Sequence, residues 1–178
     1  MSKTFLEIGS GDFETLEYLG DLGWNGIIIE PIPKYFNNLK FHPNVHYINS
    51  AIDWVSGTRK MYVASEKNVS ELNYTRGMSS FFPRHEKLDE VIEVNTITIT
   101  EVLDRYNFET IDFLKIDTEG YDAEIVKMFP FQRYKPSYLK IEKEHLSHED
   151  LTSTIELLVQ NGYHCEWTER DIFGFLLR

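Results

Sequence analysis

Residues 112–125 read DFLKIDTEGYDAEI, which joins a short apolar run to an acidic turn and a helical pattern. The apolar run around Leu114 is typical of a strand that is buried on both faces, and it ends abruptly at Asp117. In an open α/β sheet, ligands bind in the crevice beyond the carboxyl ends of the strands. The stretch therefore predicts that Asp117 and Glu119 lie at a ligand site, although a helix-capping role would explain either residue alone.

The composition is that of a globular domain with a strong acidic bias. The 178 residues carry a formal net charge of −11 and have a pI near 5.0. This length is most simply one domain, which could itself be part of a larger polypeptide. An acidic chain is poorly suited to a phosphate backbone, so no nucleic-acid partner is expected. The single cysteine, Cys165, suits a reducing compartment, and no apolar run is long enough to span a bilayer. We therefore expect a cytoplasmic protein with no membrane partner.

Strand and helix patterns alternate along the chain, which predicts a parallel sheet with helices on both faces. A closing antiparallel hairpin would make this a mixed seven-stranded sheet. The strands expected in it are residues 4–8, 26–30, 45–48, 113–116, 137–142, 163–168 and 172–177. The helices are expected at about residues 13–22, 33–41, 99–106, 121–128 and 147–160.

Two further strands and one long loop interrupt this alternation. Strands are expected at residues 59–64 and 90–97, and a capping box of Thr98 and Glu101 is expected to start the helix that follows. Residues 65–87 lack a regular pattern, and a loop of this length in a compact domain is often a substrate cover. Its side chains suited to a hydroxyl-rich ligand are Asn68, Asn73, Tyr74, Arg76, Ser79 and Ser80.

A glycine-containing loop follows the first strand, and an acidic residue ends the second. Gly9 and Gly11 let the backbone approach a ligand closely, and Glu30 lies where a carboxylate hydrogen-bonds a ribose diol. Dinucleotides and S-adenosylmethionine share this arrangement. A dinucleotide loop would need a third glycine where Glu14 stands, and an acid there repels pyrophosphate, whereas S-adenosylmethionine has no phosphate. Glu7 is expected either to hold the loop or to face the ligand's ammonium group. The candidate cofactor-binding residues are Glu7, Gly9, Ser10, Gly11, Glu30, Pro31, Ser50, Ala51 and Asp117.

The segment KIDTEGYDAE, residues 115–124, resembles the hallmark of FkbM-type methyltransferases. The first loop, Glu30-Pro31, the turn at residues 49–51 and the segment at residues 79–81 follow in the family's order, so the resemblance covers nearly the whole chain. It implies a class I methyltransferase (Rossmann-like) fold and S-adenosylmethionine-dependent O-methylation of a sugar or polyketide hydroxyl. The family's first loop usually reads Asp-x-Gly-Ala-Asn-x-Gly, whereas residues 7–13 here read EIGSGDF.

Methyl transfer to a hydroxyl requires the hydroxyl to lose its proton, which calls for a general base or a metal ion. The candidate catalytic residues are Asp117, Glu119 and His145. Of these we favour His145 as the base because its unperturbed pKa of ~6.5 suits neutral pH. The rival route uses Mg²⁺ held by Asp117 together with Glu119, Glu142 or Glu144, since this cation prefers oxygen ligands.

Three other functions remain open at this point. They are methylation of nucleic acid by the same fold, a non-catalytic binding module, and an NAD-dependent oxidoreductase. The acidic charge argues against the first, and no Asn/Asp-Pro-Pro-Tyr/Phe sequence is present to clamp a flipped base. The expected partner is therefore a small-molecule or glycan acceptor, such as a deoxysugar like rhamnose. S-adenosylhomocysteine would be the product of the cofactor.

Overall fold

The computed structural model describes residues 2–13, 15–71 and 77–177. Asn73, Tyr74 and Arg76, which were predicted to belong to a substrate cover, lie outside these ranges. The strands are β1 (Thr4–Ile8), β2 (Asn25–Ile29), β3 (Val45–Ile48), β4 (Ala51–Ile52), β5 (Gly57–Val63), β6 (Ser79–Ser80), β7 (Glu90–Ile97), β8 (Phe113–Ile116), β9 (Tyr138–Glu142), β10 (Tyr163–Trp167) and β11 (Asp171–Leu176). The helices are α1 (Tyr18–Asp21), α2 (Pro33–Phe36), α3 (Glu66–Glu71), α4 (Ile99–Arg105), α5 (Asp122–Met128) and α6 (His148–Gln160).

A seven-stranded sheet forms the centre of the molecule, in the order β10-β11-β9-β8-β1-β2-β3. The five strands from β9 to β3 run parallel, while β11 lies antiparallel to both β9 and β10. The predicted mixed sheet with a C-terminal antiparallel hairpin is confirmed. The parallel strands also bring the ends of β1, β2, β8 and β9 to one edge, where the predicted site residues follow them.

Helices cover both faces of this sheet because its central strands are apolar on both sides. On one face, Leu6 and Leu114 pack in a single core cluster with Val102 of α4, Val126 of α5 and Leu158 of α6. The core cluster on the other face is smaller and includes Leu19 of α1. Its buried residues are Phe5, Leu16, Leu19, Ile28, Leu39 and Val45. The predicted helices on both faces are therefore confirmed.

Two helices are shorter than their sequence patterns predicted. The amphipathic pattern of residues 13–22 forms a helix only at α1, and the Leu16 N–H before it donates to the buried Glu7 carboxylate at 2.8 Å. Similarly, α2 begins at Pro33 as predicted but ends at Phe36. The Thr98 capping box is present, with reciprocal hydrogen bonds between Thr98 and Glu101 at the start of α4.

A second sheet, which the sequence pattern did not predict, has the order β4-β7-β5-β6. The two extra strands expected from the sequence, β5 and β7, form its antiparallel centre. Its apolar residues Met61, Val63 and Val94 pack with Ile32 and Tyr35, which follow β2. This packing sets the second sheet beside the carboxyl ends of β1 and β2. In the described part of the chain, no helix is long and apolar enough to cross a bilayer.

Candidate functional site

The loops after β1 and β8 meet in direct backbone contact at the carboxyl edge of the main sheet. The Asp117 N–H donates to the Ile8 carbonyl at 3.0 Å, and the Gly9 N–H donates to the Ile29 carbonyl at 2.9 Å. Gly9 has a φ of 77°, and a Cβ placed on it would lie 2.0 Å from the Asp117 carbonyl oxygen. Only glycine fits at this position, because both the backbone angle and the space exclude a side chain.

A cavity that is open to solvent lies at this edge, between the main sheet and the second sheet. Most of the predicted cofactor-binding residues line it, namely Gly9, Ser10, Gly11, Glu30, Pro31, Ser50, Ala51 and Asp117. Met61 of β5 also lines the cavity. So do Gly77, Ser79, Ser80 and Phe81, which lie in β6 and on either side of it. Part of the long segment predicted to cover the substrate therefore lies at the cavity.

Glu30 is the buried carboxylate of this cavity, with only 3% of its surface exposed. Its two oxygens accept hydrogen bonds from the backbone N–H groups of Gly11 and Ile32, each at 2.8 Å. Each carboxylate oxygen has a second lone pair, so the group keeps capacity for further donors. Burial raises the pKa of Glu30 to about 7, against the two backbone hydrogen bonds that lower it.

Glu7, in contrast, does not line the cavity. It is fully buried, and one oxygen accepts from the Thr15 hydroxyl at 2.7 Å and from the Leu16 N–H. The other oxygen accepts from the Lys115 ammonium at 2.9 Å. Burial raises the pKa of Glu7, and Lys115 opposes that shift. Of the two roles predicted for Glu7, this geometry fits holding the loop after β1.

Asp122 shapes the acidic turn that the sequence analysis started from. Its carboxylate is buried and accepts the N–H groups of Thr118 and Gly120, each at 3.0 Å. Burial raises the pKa of Asp122 to about 6. Between those two residues, Glu119 is held at a φ of 56°. A residue with a side chain pays ~1–2 kcal/mol for this left-handed conformation, which here is imposed by the bonds to Asp122.

The left-handed turn directs the Glu119 carboxylate towards His145, which follows β9. One Glu119 oxygen lies 2.9 Å from the His145 Nε2. Glu119 lines the cavity and His145 does not, so Glu119 is the member of this pair in reach of a bound molecule. Burial, reinforced by the charges of Asp117 and Glu144, raises the pKa of Glu119 to about 7.

Glu142, the last residue of β9, completes this acidic group. Each of Glu119, Glu142 and His145 offers a ligand atom, and these atoms lie within 4.8 Å of one another. Burial, with the neighbouring carboxylates adding to it, raises the pKa of Glu142 to about 9. Of the predicted metal ligands, Glu119 and Glu142 lie in this cluster, whereas Asp117 and Glu144 do not. Glu144 instead accepts from the Arg170 guanidinium at 2.7 Å, and Asp117 lies 3.7 Å from the Lys115 ammonium.

A second polar group beside the cavity was missed by the sequence analysis. Asp53 accepts from the Arg59 guanidinium at 2.7 Å and from the Tyr121 hydroxyl at 2.8 Å. Arg59 also stacks over the Phe81 ring, with its central carbon 4.0 Å from the ring centroid. Both Tyr121 and Phe81 line the cavity. These partners come from the second sheet and from the start of α5, so no local sequence pattern links them.

Numbered along the chain within the main sheet, the strand order is 3-2-1-4-5-7-6, with the antiparallel hairpin at one end. This order and a cavity at the carboxyl edge, beside a glycine loop and a strand-two acid, define a class I methyltransferase fold. The methyltransferase FkbM domain matches residues 7–165. The chain therefore belongs to the FkbM family of methyltransferases, as the resemblance predicted.

Two other comparisons add context. No curated protein sequence is significantly similar to the chain. Among solved structures, the chain is similar to the crystal structure of precorrin-6y C5,15-methyltransferase from Geobacter metallireducens GS-15. That match has a TM-score of 0.49 and 13% sequence identity, and it covers 99% of this chain and 80% of the other.

Proposed function

We propose that this protein is an S-adenosylmethionine-dependent O-methyltransferase whose acceptor is a hydroxyl of a sugar or glycan, such as a deoxysugar like rhamnose. The observation that carries the proposal is the single cavity that joins the buried Glu30 to Glu119. One end of it has the chemistry to hold a nucleoside, and the other has the chemistry to activate a hydroxyl. The family supports S-adenosylmethionine as the methyl donor.

The residues of the cofactor half fit this donor. Glu30 has unused acceptor capacity for the two ribose hydroxyls. The turn at Ser50 and Ala51 offers backbone groups to the adenine edge. The loop from Gly9 to Gly11 lets the backbone approach the amino-acid end closely. When bound there, S-adenosylmethionine supplies an electrophilic methyl group.

The acceptor half contains the Glu119–His145 pair. A sugar hydroxyl must be oriented towards the methyl group and must lose its proton in or before the transition state. Glu119 lines the cavity, and its Oε2 lies 2.9 Å from the Nε2 of His145, which is outside the cavity lining. The pair therefore activates the hydroxyl, with Glu119 in contact with it. In this proposal His145 positions Glu119, and the base role that the sequence favoured for His145 stays an untested prediction.

The remaining lining residues favour an uncharged, hydroxyl-rich acceptor. Ser79 and Ser80 offer hydroxyl groups, and the rings of Phe81 and Tyr121 offer apolar faces on which a sugar ring can stack. Asp117 and Glu119 make the same wall acidic, which disfavours phosphorylated acceptors such as nucleic acids. With a single cysteine in the chain, a reducing compartment such as the cytoplasm is the setting we propose.

Ligand-dependent melting tests the cofactor half of the proposal. S-adenosylhomocysteine should raise the Tm, because a ligand that binds only the native state stabilises it by about 2.7 kcal/mol at 100 times its Kd. NAD⁺ serves as the control and should leave the Tm unchanged. Stabilisation by NAD⁺ alone would show that the cavity belongs to an oxidoreductase.

Transfer of a labelled methyl group tests the acceptor half. The protein should move tritium from methyl-labelled S-adenosylmethionine to deoxysugar acceptors, and should leave an oligonucleotide and a methylamine acceptor unlabelled. Labelling of the oligonucleotide in preference to the sugars would contradict the proposed acceptor class.

A further inference from the structure

The cluster of Glu119, Glu142 and His145 is more than a group of surface acids. Its three residues come from two separate places in the chain, the turn after β8 and the end of β9, which the sheet sets side by side. One ligand atom from each lies within 4.8 Å of the others. The combination of two carboxylates with an imidazole is a donor set that binds divalent metal ions in proteins.

The Glu142 side chain also indicates that the cluster binds a ligand. Only 8% of its surface is exposed, and its buried Oε2 has no hydrogen-bond partner among the described residues. A buried carboxyl oxygen without a partner costs free energy, and such an oxygen in a folded protein is normally bound to a donor, a water molecule or an ion. This oxygen belongs to the same residue that faces Glu119 and His145.

The positively charged side chains described near the cluster contact other groups. Arg170 donates to Glu144, Arg84 donates to the Gly120 carbonyl, and Lys115 lies between Glu7 and Asp117. A cation placed between Glu119, Glu142 and His145 would bring a positive charge into contact with both carboxylates.

We propose that Glu119, Glu142 and His145 bind a divalent first-row transition-metal ion such as Mn²⁺. Two ligands ~2.1 Å from an octahedral ion and at right angles to each other are about 3.0 Å apart. The 2.9 Å separation of the Glu119 Oε2 and the His145 Nε2 matches that spacing. The two carboxylates suit Mn²⁺, and an imidazole ligand disfavours Mg²⁺, which is bound mostly by oxygen, so the ion and the ligand His145 differ from the Mg²⁺ site expected from the sequence.

Three protein ligands leave open positions on an octahedral ion, and one of the three, Glu119, lines the cavity. If the protein methylates a hydroxyl as proposed above, the acceptor oxygen would take one of these positions, and Glu119 would then act on the hydroxyl through the ion instead of by direct contact. Coordination lowers the pKa of a bound hydroxyl, so its proton would be released to water before methyl transfer. This role depends on the proposed function, whereas metal binding itself does not.

Manganese binding to the whole protein tests the site. The protein is first stripped with EDTA and dialysed, and Mn²⁺ is then titrated while free Mn²⁺ is followed by electron paramagnetic resonance. We expect one bound ion per chain with a micromolar Kd, and weaker binding of Mg²⁺ in competition. Glu142→Gln and His145→Ala should each weaken Mn²⁺ binding at least about tenfold, the lower end of the loss seen when a ligand's support is removed.

Glu166→Gln is the matched control, because it removes the same charge from an exposed side chain on β10. It should bind Mn²⁺ as the unchanged protein does, and circular dichroism should show that all variants are folded. Absence of Mn²⁺ binding up to millimolar concentration would overturn the proposal, and so would unchanged affinity in Glu142→Gln. S-adenosylhomocysteine binding, measured in the same samples, separates the metal site from the proposed function. If the unchanged protein binds Mn²⁺ but not S-adenosylhomocysteine, the proposed function is refuted and the metal site is supported.

Discussion

Individual side chains in this protein serve both the fold and the cavity. Glu30 is the clearest case, since its carboxylate holds the loop after β1 through Gly11 and the start of the next segment through Ile32. An alanine at this position would remove the loop anchor together with the proposed ribose contact. Glutamine keeps the size of the side chain and one of the two acceptors, so it removes the charge together with one of the two backbone contacts.

Affinity for S-adenosylhomocysteine should depend on pH through Glu30. Because burial raises the pKa of Glu30 to about 7, the carboxylate is largely protonated at pH 6 and ionised at pH 8. Ribose hydroxyls donate to the ionised form, so affinity should rise as the pH increases through 7. Glu30→Gln should bind about tenfold more weakly at pH 8, because a hydrogen bond to a charged group contributes ~1.5–3 kcal/mol.

Isothermal titration calorimetry from pH 6 to pH 8 measures this dependence. The Glu30→Gln variant is also the control, and its affinity should change much less over the same range. A pH profile that is equally steep in the variant would assign the titration to another group and would remove Glu30 from the ribose contact.

Pairs of elements are joined by buried polar contacts as well as by the apolar core. Lys115 of β8 stands opposite Glu7 of β1 in the parallel register, and their side chains form an ion pair at 2.9 Å with almost no exposure. The next residue in the same row, Lys140 of β9, is partly exposed and lies 3.6 Å from Asp171. The two lysines thus differ in burial while sharing a face of the sheet.

Lys115→Met should destabilise the protein by ~3–5 kcal/mol, because it leaves the Glu7 carboxylate buried without its cation. For a domain of this size the loss should lower the Tm by about 10 °C. Lys140→Met, the matched control, should cost no more than ~1 kcal/mol, since its ion pair is close to the surface. Thermal unfolding followed by circular dichroism gives both values.

The double variant Glu7→Gln, Lys115→Met should recover a large part of the lost stability. Glutamine keeps an acceptor for Thr15 and Leu16, and the double change removes the unpaired charge. If the double variant were as unstable as Lys115→Met alone, the cost would come from packing and not from the orphaned carboxylate.

At the scale of the whole molecule, the cavity is a joint between two sheets. The main sheet supplies the loops after β1, β2 and β8, and the second sheet supplies Met61 and the residues around β6. The Arg59 guanidinium of β5 crosses this joint to reach Tyr121 at the start of α5. A bound ligand therefore contacts both sheets at once, and its binding should stabilise the contact between them.

Amide hydrogen exchange should report this stabilisation of the contact between the sheets. S-adenosylhomocysteine should slow amide exchange at residues 9–11 and at residues 77–81, because both segments line the cavity. The hairpin of β10 and β11, at the far end of the main sheet, is the internal control and should exchange at an unchanged rate. Protection confined to residues 9–11 would show that the second sheet takes no part in ligand binding.

Much of the main sheet was predictable because its signals are local. Apolar runs such as that before Asp117 mark buried strands, and a capping box at Thr98 marks the start of a helix. The hydrogen bond from the Leu16 N–H to Glu7, nine residues away, was not predictable, because no local pattern links the two residues. The second sheet was missed as a unit, since β4 and β7 pair across more than forty residues.

The sequence by itself determined the main sheet, the family and the placement of Gly9, Glu30, Asp117 and Glu119 at one edge, because strand ends and turns follow from neighbouring residues. Only the tertiary structure decided which groups the acidic residues contact. Glu144 accepts from Arg170, Glu7 forms an ion pair with Lys115, and Glu119 lies close to His145 and Glu142. The physical reason is that an electrostatic contact depends on distance in space, and these partners are brought together by the sheet and not by the order of residues along the chain.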